Sequence, residues 1–172
     1  TLELGGKSPA IIDGTMNPDL VAGRVGWAKA LNVGQVCIAP DYLLIKDTAV
    51  DDMVAALARR WDGWFGEDKS ASDSYGRVVN EGQFDRLVET LEDAVSKGAT
   101  IAHGGRHDRG SRFMEPTILT GVTPDMRVMQ EEVFGPLLPV LSWSDPLEVP
   151  GRVADVKDLS LIHISEPTRH AS

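Results

Sequence analysis

Short apolar runs alternate with longer amphipathic segments along most of this chain, and that alternation limits its fold more than any other feature. Strands separated by helices of roughly ten or more residues build βα units, and such units assemble a sheet covered by helices. The strand-like runs lie at 8–13, 42–45, 99–102, 115–119 and 137–141. Between them, three segments show helical spacing. In the first, Asn17-Pro18 supplies an N-cap and a first helical residue, Leu20, Val21, Val25, Ala28 and Leu31 recur near helical spacing with Trp27 beside them, and Asn32 and Gly34 stop it. The second spans 48–66, with Thr48 and Asp51 as a variant capping box and Met53, Leu57, Trp61 and Trp64 on one stripe, expected to be core. In the third, Asn80 is the cap with Gln83 at the reciprocal position, the core face is Phe84, Leu87, Val88, Leu91 and Val95, and Lys97-Gly98 ends it. Residues 67–74 and 106–112 read as solvated loops. The expected class is α/β, without internal repeats.

The first helix delivers the chain to Asn32-Val33-Gly34-Gln35-Val36-Cys37-Ile38-Ala39-Pro40-Asp41-Tyr42, which contains the single cysteine. Gly34 and Pro40 bracket a loop there. Taken alone, a lone cysteine is more often a small buried hydrophobe than a nucleophile. Two other stretches change that weighing. Thr1-Leu2-Glu3-Leu4-Gly5-Gly6-Lys7 sets an acid between leucines and follows it with a glycine pair, which ends a strand and lets a ligand or another backbone approach. Far downstream lies Glu131-Glu132-Val133-Phe134-Gly135-Pro136.

Together the three stretches resemble the aldehyde dehydrogenase superfamily: Glu3-Leu4-Gly5-Gly6-Lys7 is similar to its glutamate motif, Gly34-Gln35-Val36-Cys37 to its cysteine motif, and Glu131 to Pro136 to its late nucleotide-contact motif. The order and the separation of Glu3 from Cys37 suit the family. Ala39-Pro40-Asp41-Tyr42 and Leu137-Leu138-Pro139-Val140 resemble the branch of class 3 (fatty and aromatic aldehyde) and coniferyl aldehyde dehydrogenases. One departure is Val36, where the family usually carries a small hydroxylated residue.

The resemblance implies an aldehyde dehydrogenase-like fold with Rossmann-like βα units. It also implies oxidation of an aldehyde to a carboxylic acid with NAD or NADP. Cys37 is then the nucleophile, forming a thiohemiacetal and a thioester, with its own N–H as one oxyanion donor. Glu3 is the base for deacylation. Its presence favours hydrolysis over transfer to a thiol. Glu132 is expected on the nicotinamide-side ribose, Phe134 against the nicotinamide region, and Leu4 at the nicotinamide through its backbone. Glu131 is expected to be structural, and Lys7 a surface or ion-pair lysine. The substrates favoured are aromatic or long-chain aldehydes, and the full-length form is expected to be a homodimer or tetramer.

Composition excludes other classes. The net charge of −9 does not suit a nucleic-acid or anionic-membrane partner, and no apolar run approaches about 18 residues, the length of a spanning helix. Four scattered histidines and one cysteine make no metal-ligand cluster. A lone cysteine fits a reducing, cytoplasmic setting.

Residues 1–143 are expected to be a partial catalytic domain that begins in mid-domain, inactive alone because the Gly-rich phosphate loop and the oxyanion-hole Asn of the family would lie upstream. Residues 144–158 are an ambiguous junction, where Asp145-Pro146 and Pro150-Gly151 break any helix. Residues 159–172, including Leu159-Ser160-Leu161-Ile162-His163-Ile164-Ser165-Glu166-Pro167-Thr168-Arg169, resemble a translated transposase adapter from DNA library preparation and are expected to be non-native. The rival readings are a non-catalytic truncated domain with a binding or structural role and, last, a different thiol enzyme, for which no resolving cysteine or histidine partner is in place.

Overall fold

The computed structural model describes residues 6–156. In chain order the elements are β1 (Pro9–Ile12), α1 (Pro18–Ala30), β2 (Tyr42–Lys46), α2 (Val50–Phe65), α3 (Glu81–Ser96), β3 (Thr100–His103), β4 (His107–Asp108), β5 (Phe113–Met114), β6 (Thr117–Thr120), α4 (Arg127–Gln130), β7 (Leu137–Trp143) and α5 (Val149–Ala154). The main sheet has the order β1-β2-β7-β6-β3. Its first four strands are parallel, and β3 closes the far edge antiparallel to β6. This is the α/β architecture that the alternation of runs requires.

β2 sits inside the sheet and is buried along Tyr42 to Ile45, which is why it reads as a continuous apolar run. Leu43 and Ile45 join a core with Met53, Leu57 and Trp61 of α2. Tyr42 and Leu44 face the other way, into a core with Phe84, Leu87 and Leu91 of α3. Helices therefore cover both faces.

Helix α1 is capped by Asn17, whose side chain accepts from the N–H groups of Asp19 at 2.9 Å and Leu20 at 3.4 Å. Its buried face, however, is Ala22, Gly26, Lys29 and Ala30, whereas Leu20, Trp27 and Leu31 are exposed. The reason is close helix packing. A Cβ on Gly26 would lie 3.2 Å from Leu57 and 3.3 Å from Trp61 Nε1, and that Nε1 donates to the Gly26 carbonyl at 3.0 Å. Small residues make that approach possible, so Leu20, Trp27 and Leu31 are on the outer face, while Val21 and Val25 are half-buried at the margin of the core.

Other local readings also change. The Thr48–Asp51 capping box does not form: α2 follows a 3-10 turn over Asp47–Ala49 and has no side-chain cap. On α2, Trp64 is partly exposed. Gln83 accepts from Arg86 rather than reaching back to Asn80, although Asn80 does cap α3. Thr90 and Ala94 are buried where Val95 is exposed. In the 67–74 loop, Lys69 is buried by ion pairs with Asp62 at 2.5 Å and Glu115 at 3.3 Å. Part of the 106–112 loop pairs as the β4–β5 hairpin. The prolines at 146 and 150 do not break structure. Each occupies the first turn of a short helix, where its missing N–H costs nothing.

Candidate active site

The segments that precede β1, β2 and β7 converge at one edge of the sheet. These strands are adjacent and parallel, with Pro9 opposite Tyr42 and Leu43 opposite Val140, so the residues just before each strand emerge side by side. Those residues are Gly6-Lys7, the Cys37 loop with Asp41, and Glu131 to Pro136. Open α/β sheets usually bind ligands beyond the carboxyl ends of their strands. Here the motif residues gather at the amino ends.

The Cys37 loop is over-determined by its backbone. After α1, Asn32 (φ 49°), Val33 (φ 60°) and Gly34 (φ 72°) are successively left-handed, a region costly for a β-branched residue. Val33 is held there by complete burial in the core. Gln35 then clamps the turn. Its side-chain amide donates to the carbonyls of Asn32 at 2.9 Å and Arg77 at 3.2 Å, and its carbonyl accepts from the Val79 N–H at 2.9 Å. Asn32 Nδ2 returns a bond to the Gln35 carbonyl at 3.1 Å. The Ala39 N–H donates to the Val36 carbonyl at 2.9 Å, closing a tight turn around Cys37. Cys37 is exposed on that turn, and its chain neighbour Ile38 is an exposed apolar side chain.

The loop is tied to the third motif in two places. A Cβ at Gly34 would run into the carbonyl of Gly135, so only glycine permits that approach. Behind it, Asp41 Oδ1 accepts from the Val133 N–H at 2.8 Å, and Asp41 Oδ2 pairs with Lys7 Nζ. Lys7 also donates to the carbonyls of Val128 at 2.9 Å and Glu131 at 2.8 Å, and its side chain is fully buried. Arg86 of α3 donates to the Val133 carbonyl at 2.6 Å and the Glu132 carbonyl at 3.3 Å. Glu132 is half-buried and its carboxylate accepts from the Gly6 N–H. Phe134 is left-handed (φ 41°) and 39% exposed, so its ring is presented outward instead of joining the core.

Electrostatics follow this crowding. Burial raises the carboxyl of Glu132 above the usual carboxylate range, and the charge of Asp41 adds to the rise. Burial lowers Lys29 from 10.5 to about 8, with Lys7 adding to the fall and Asp41 and Glu132 opposing it. Tyr42 is pushed up to about 12 by burial and then by Asp41. Its hydroxyl has no hydrogen-bond partner among the described residues.

Of the residues singled out from sequence, the structure brings Cys37, Glu132 and Phe134 to one edge, while Glu3 and Leu4 lie outside the described residues. Sequence reasoning placed Lys7 at the surface or in an ion pair; it is a buried ion pair. It missed Asp41, Lys29, Gln35 and Arg86. A charge immediately before the buried Tyr42–Ile45 run was the available signal, since a buried charge needs a partner. No group of three or more potential metal ligands exists among the described residues. The arrangement offers an exposed thiol on a hydrogen-bonded turn, at the same sheet edge as a half-buried carboxylate and an outward aromatic ring.

A family model described as "Aldehyde dehydrogenase family" matches residues 1–157. The chain is 42% identical over 143 residues to the 4,4'-diaponeurosporen-aldehyde dehydrogenase of Staphylococcus aureus, covering 83% of this chain and 30% of that protein. It is 44% identical over 142 residues to aldehyde dehydrogenase family 3 member A2 of Rattus norvegicus, covering 83% and 28%. Among solved structures it is similar to a substrate-bound state of Staphylococcus aureus AldH, with a TM-score of 0.84 and 38% identity over 88% of this chain and 32% of that one. A betaine aldehyde dehydrogenase from Staphylococcus aureus in complex with NAD+ gives a TM-score of 0.75 and 31% identity, covering 85% and 30%. The chain thus spans about a third of the length of the proteins it matches.

Proposed function

The chain belongs to the aldehyde dehydrogenase family, and from that premise we propose that it oxidises an aldehyde to a carboxylic acid with NAD or NADP, through Cys37. The observation that carries this reading is the exposed thiol on a clamped turn that abuts the Glu132–Gly135 segment. A thiolate at Cys37 adds to the aldehyde carbon, forming a C–S bond and sending the C=O π pair to oxygen. The Cys37 N–H is the donor suited to that oxyanion. A bound dinucleotide would supply the hydride acceptor. Collapse of the oxyanion as hydride departs leaves a thioester on Cys37. Glu3 removes a proton from the water that attacks the thioester, which breaks the C–S bond and releases the acid.

The residues present suit one end of a nicotinamide dinucleotide. The Glu132 carboxylate is suited to accept from ribose hydroxyls, and Phe134 offers a ring to the nicotinamide side, with Leu4 contributing backbone. A mouse relative 40% identical over 141 residues is named as dimeric and NADP-preferring, and the betaine enzyme above binds NAD+; neither cofactor is favoured for this chain. Exposed Ile38, next to Cys37 in the loop, favours an apolar aldehyde, aromatic or long-chain. A dimer or tetramer, a cytoplasmic setting and inactivity of the 172-residue chain by itself complete the reading.

A hybrid enzyme tests it. The aligned stretch of the Staphylococcus aureus 4,4'-diaponeurosporen-aldehyde dehydrogenase is replaced by residues 1–143. The hybrid should oxidise aromatic or long-chain aldehydes with NAD(P)+, and Cys37→Ala should lower kcat/KM by about 10³-fold or more. A folded hybrid whose activity does not depend on Cys37 overturns the reading in favour of a binding or structural role.

A further inference from the structure

We infer that Asp41, acting with Lys7, is a positioning residue that holds Glu132 and Phe134 in register with the Cys37 loop. The inference rests on the reading above that these two residues meet the dinucleotide, and it adds a device that the three motifs do not themselves specify. Asp41 belongs to the loop that carries Cys37, and its two carboxylate oxygens serve two different stretches. One accepts from the Val133 N–H at 2.8 Å, between Glu132 and Phe134. The other pairs with Lys7, whose remaining bonds go to the carbonyls of Val128 and Glu131. Every one of these groups is a main-chain atom of the third motif, the helical turn before it, or the ion pair itself. The pair is therefore a splice between three segments far apart in sequence, not a cap on one of them.

The burial of the pair makes the splice stiff. Asp41 is 4% exposed and Lys7 is 0% exposed, so water cannot substitute for either partner. Phe134 needs such a support. Its left-handed φ of 41° is disfavoured for an aromatic residue and persists only where its neighbours fix it. The N–H before it is fixed by Asp41 and the carbonyl before it by Arg86. Asp41 also acts on Glu132 through space, since its negative charge helps keep that carboxyl protonated to higher pH. The other groups near that carboxylate are Lys7, Arg86 and the Gly6 N–H, which oppose the effect, and the buried amine of Lys29 on α1, which also interacts with it.

Cys37 is the only cysteine in the chain, so a nitroxide attached to it reports on distance to the amides of the third motif. Gly34 touches Gly135, and Cys37 is three residues further on, at most about 11 Å away along an extended chain. In the 172-residue chain, the label should strongly relax the amide protons of Val133 and Phe134. The double variant Asp41→Asn/Lys7→Met removes both charges and leaves neither buried alone. It should reduce the relaxation at those two amides roughly threefold or more while the β2 and β7 amides keep their shifts, because a freed segment retreats by several ångströms. Asp41→Asn alone should do the same. Unchanged relaxation in both variants overturns the inference. So does loss of amide dispersion throughout both, since the pair then supports the whole fold and not this segment.

In the hybrid enzyme, the same double variant should raise the dinucleotide KM about tenfold and leave the aldehyde KM within about twofold. The acid limb of the dinucleotide KM should move to lower pH, because the charge of Asp41, now lost, raises Glu132 by more than the charge of Lys7 lowers it. In a Glu132→Gln background the double variant should no longer shift that limb. An equal rise in both KM values counts against positioning. A hybrid without Cys37-dependent activity fails the catalytic reading, and the relaxation measurement still decides the positioning by itself.

Discussion

At the scale of single residues, the site edge is governed by groups placed where solitary chemistry would not put them. Gly34 combines a left-handed φ of 72° with direct contact against the Gly135 carbonyl. A Gly34→Ala change faces both penalties and should lower stability by about 2 kcal/mol or more, measured by urea unfolding of the chain. Lys29 is buried on the inner face of α1 and ionises near 8 instead of 10.5, chiefly because burial disfavours its charge. The folded state then binds fewer protons than the unfolded one between those values. Its contribution is fullest above 10.5 and is lost as pH falls through about 8, a change of about 3 kcal/mol. Lys29→Met removes that dependence, so the stability difference between the two proteins should vary by about that amount from pH 7 to pH 11. A constant difference would place the Lys29 amine in a less buried setting.

At the scale of elements, the pairing of α1 with α2 depends on a small-residue face on one helix and a large indole on the other. Trp61 is fully buried, and its Nε1 bond to the Gly26 carbonyl at 3.0 Å crosses the helix interface. Trp61→Phe keeps most of the apolar volume and loses the bond, and should cost about 1 kcal/mol in chemical unfolding. Trp61→Ala also opens a cavity and should cost about 3–5 kcal/mol. The helix is legible from its Asn17-Pro18 start and its Asn32–Gly34 stop. Its buried face is legible only in part, because the inward residues are Ala22, Gly26, Lys29 and Ala30: of the large apolar side chains, Val21 and Val25 reach the margin of the core, and Leu20, Trp27 and Leu31 face out. The prolines at 146 and 150 show a related difficulty: proline ends a helix or begins one depending on the residues around it.

At the scale of the whole molecule, carboxylates dominate the response to acid. Asp13, Asp68, Asp85, Asp93, Asp108, Asp125 and Glu148 are all held below their ordinary values, mainly by hydrogen bonds to hydroxyls, backbone N–H groups or arginines. Glu115 is held low as well: burial pushes it up, and Arg106 and Lys69 outweigh that. Groups depressed in this way stabilise the fold above the ordinary carboxylate range and lose that contribution as pH falls through their lowered values. Glu132 has the opposite sign. Burial lowers His103, whose contribution is lost as pH falls below its ordinary value, and that of Glu132 grows in the same direction, so the urea midpoint should change little between about pH 5 and 7 and drop below about pH 4. A midpoint that stayed level to about pH 3 would mean these pairs are not formed in solution. As for what was determined where, the amino-acid sequence by itself settled the α/β class, the family and the identity of Cys37, Glu132 and Phe134 as candidates, because periodicity and short motifs are local properties of the chain. Only the tertiary structure decided that Lys7 and Asp41 form one buried splice, that Lys29 faces inward, and that the Cys37 loop touches Gly135. Those facts depend on β1, β2 and β7 lying side by side and parallel, and strand adjacency is a long-range outcome that no local pattern encodes.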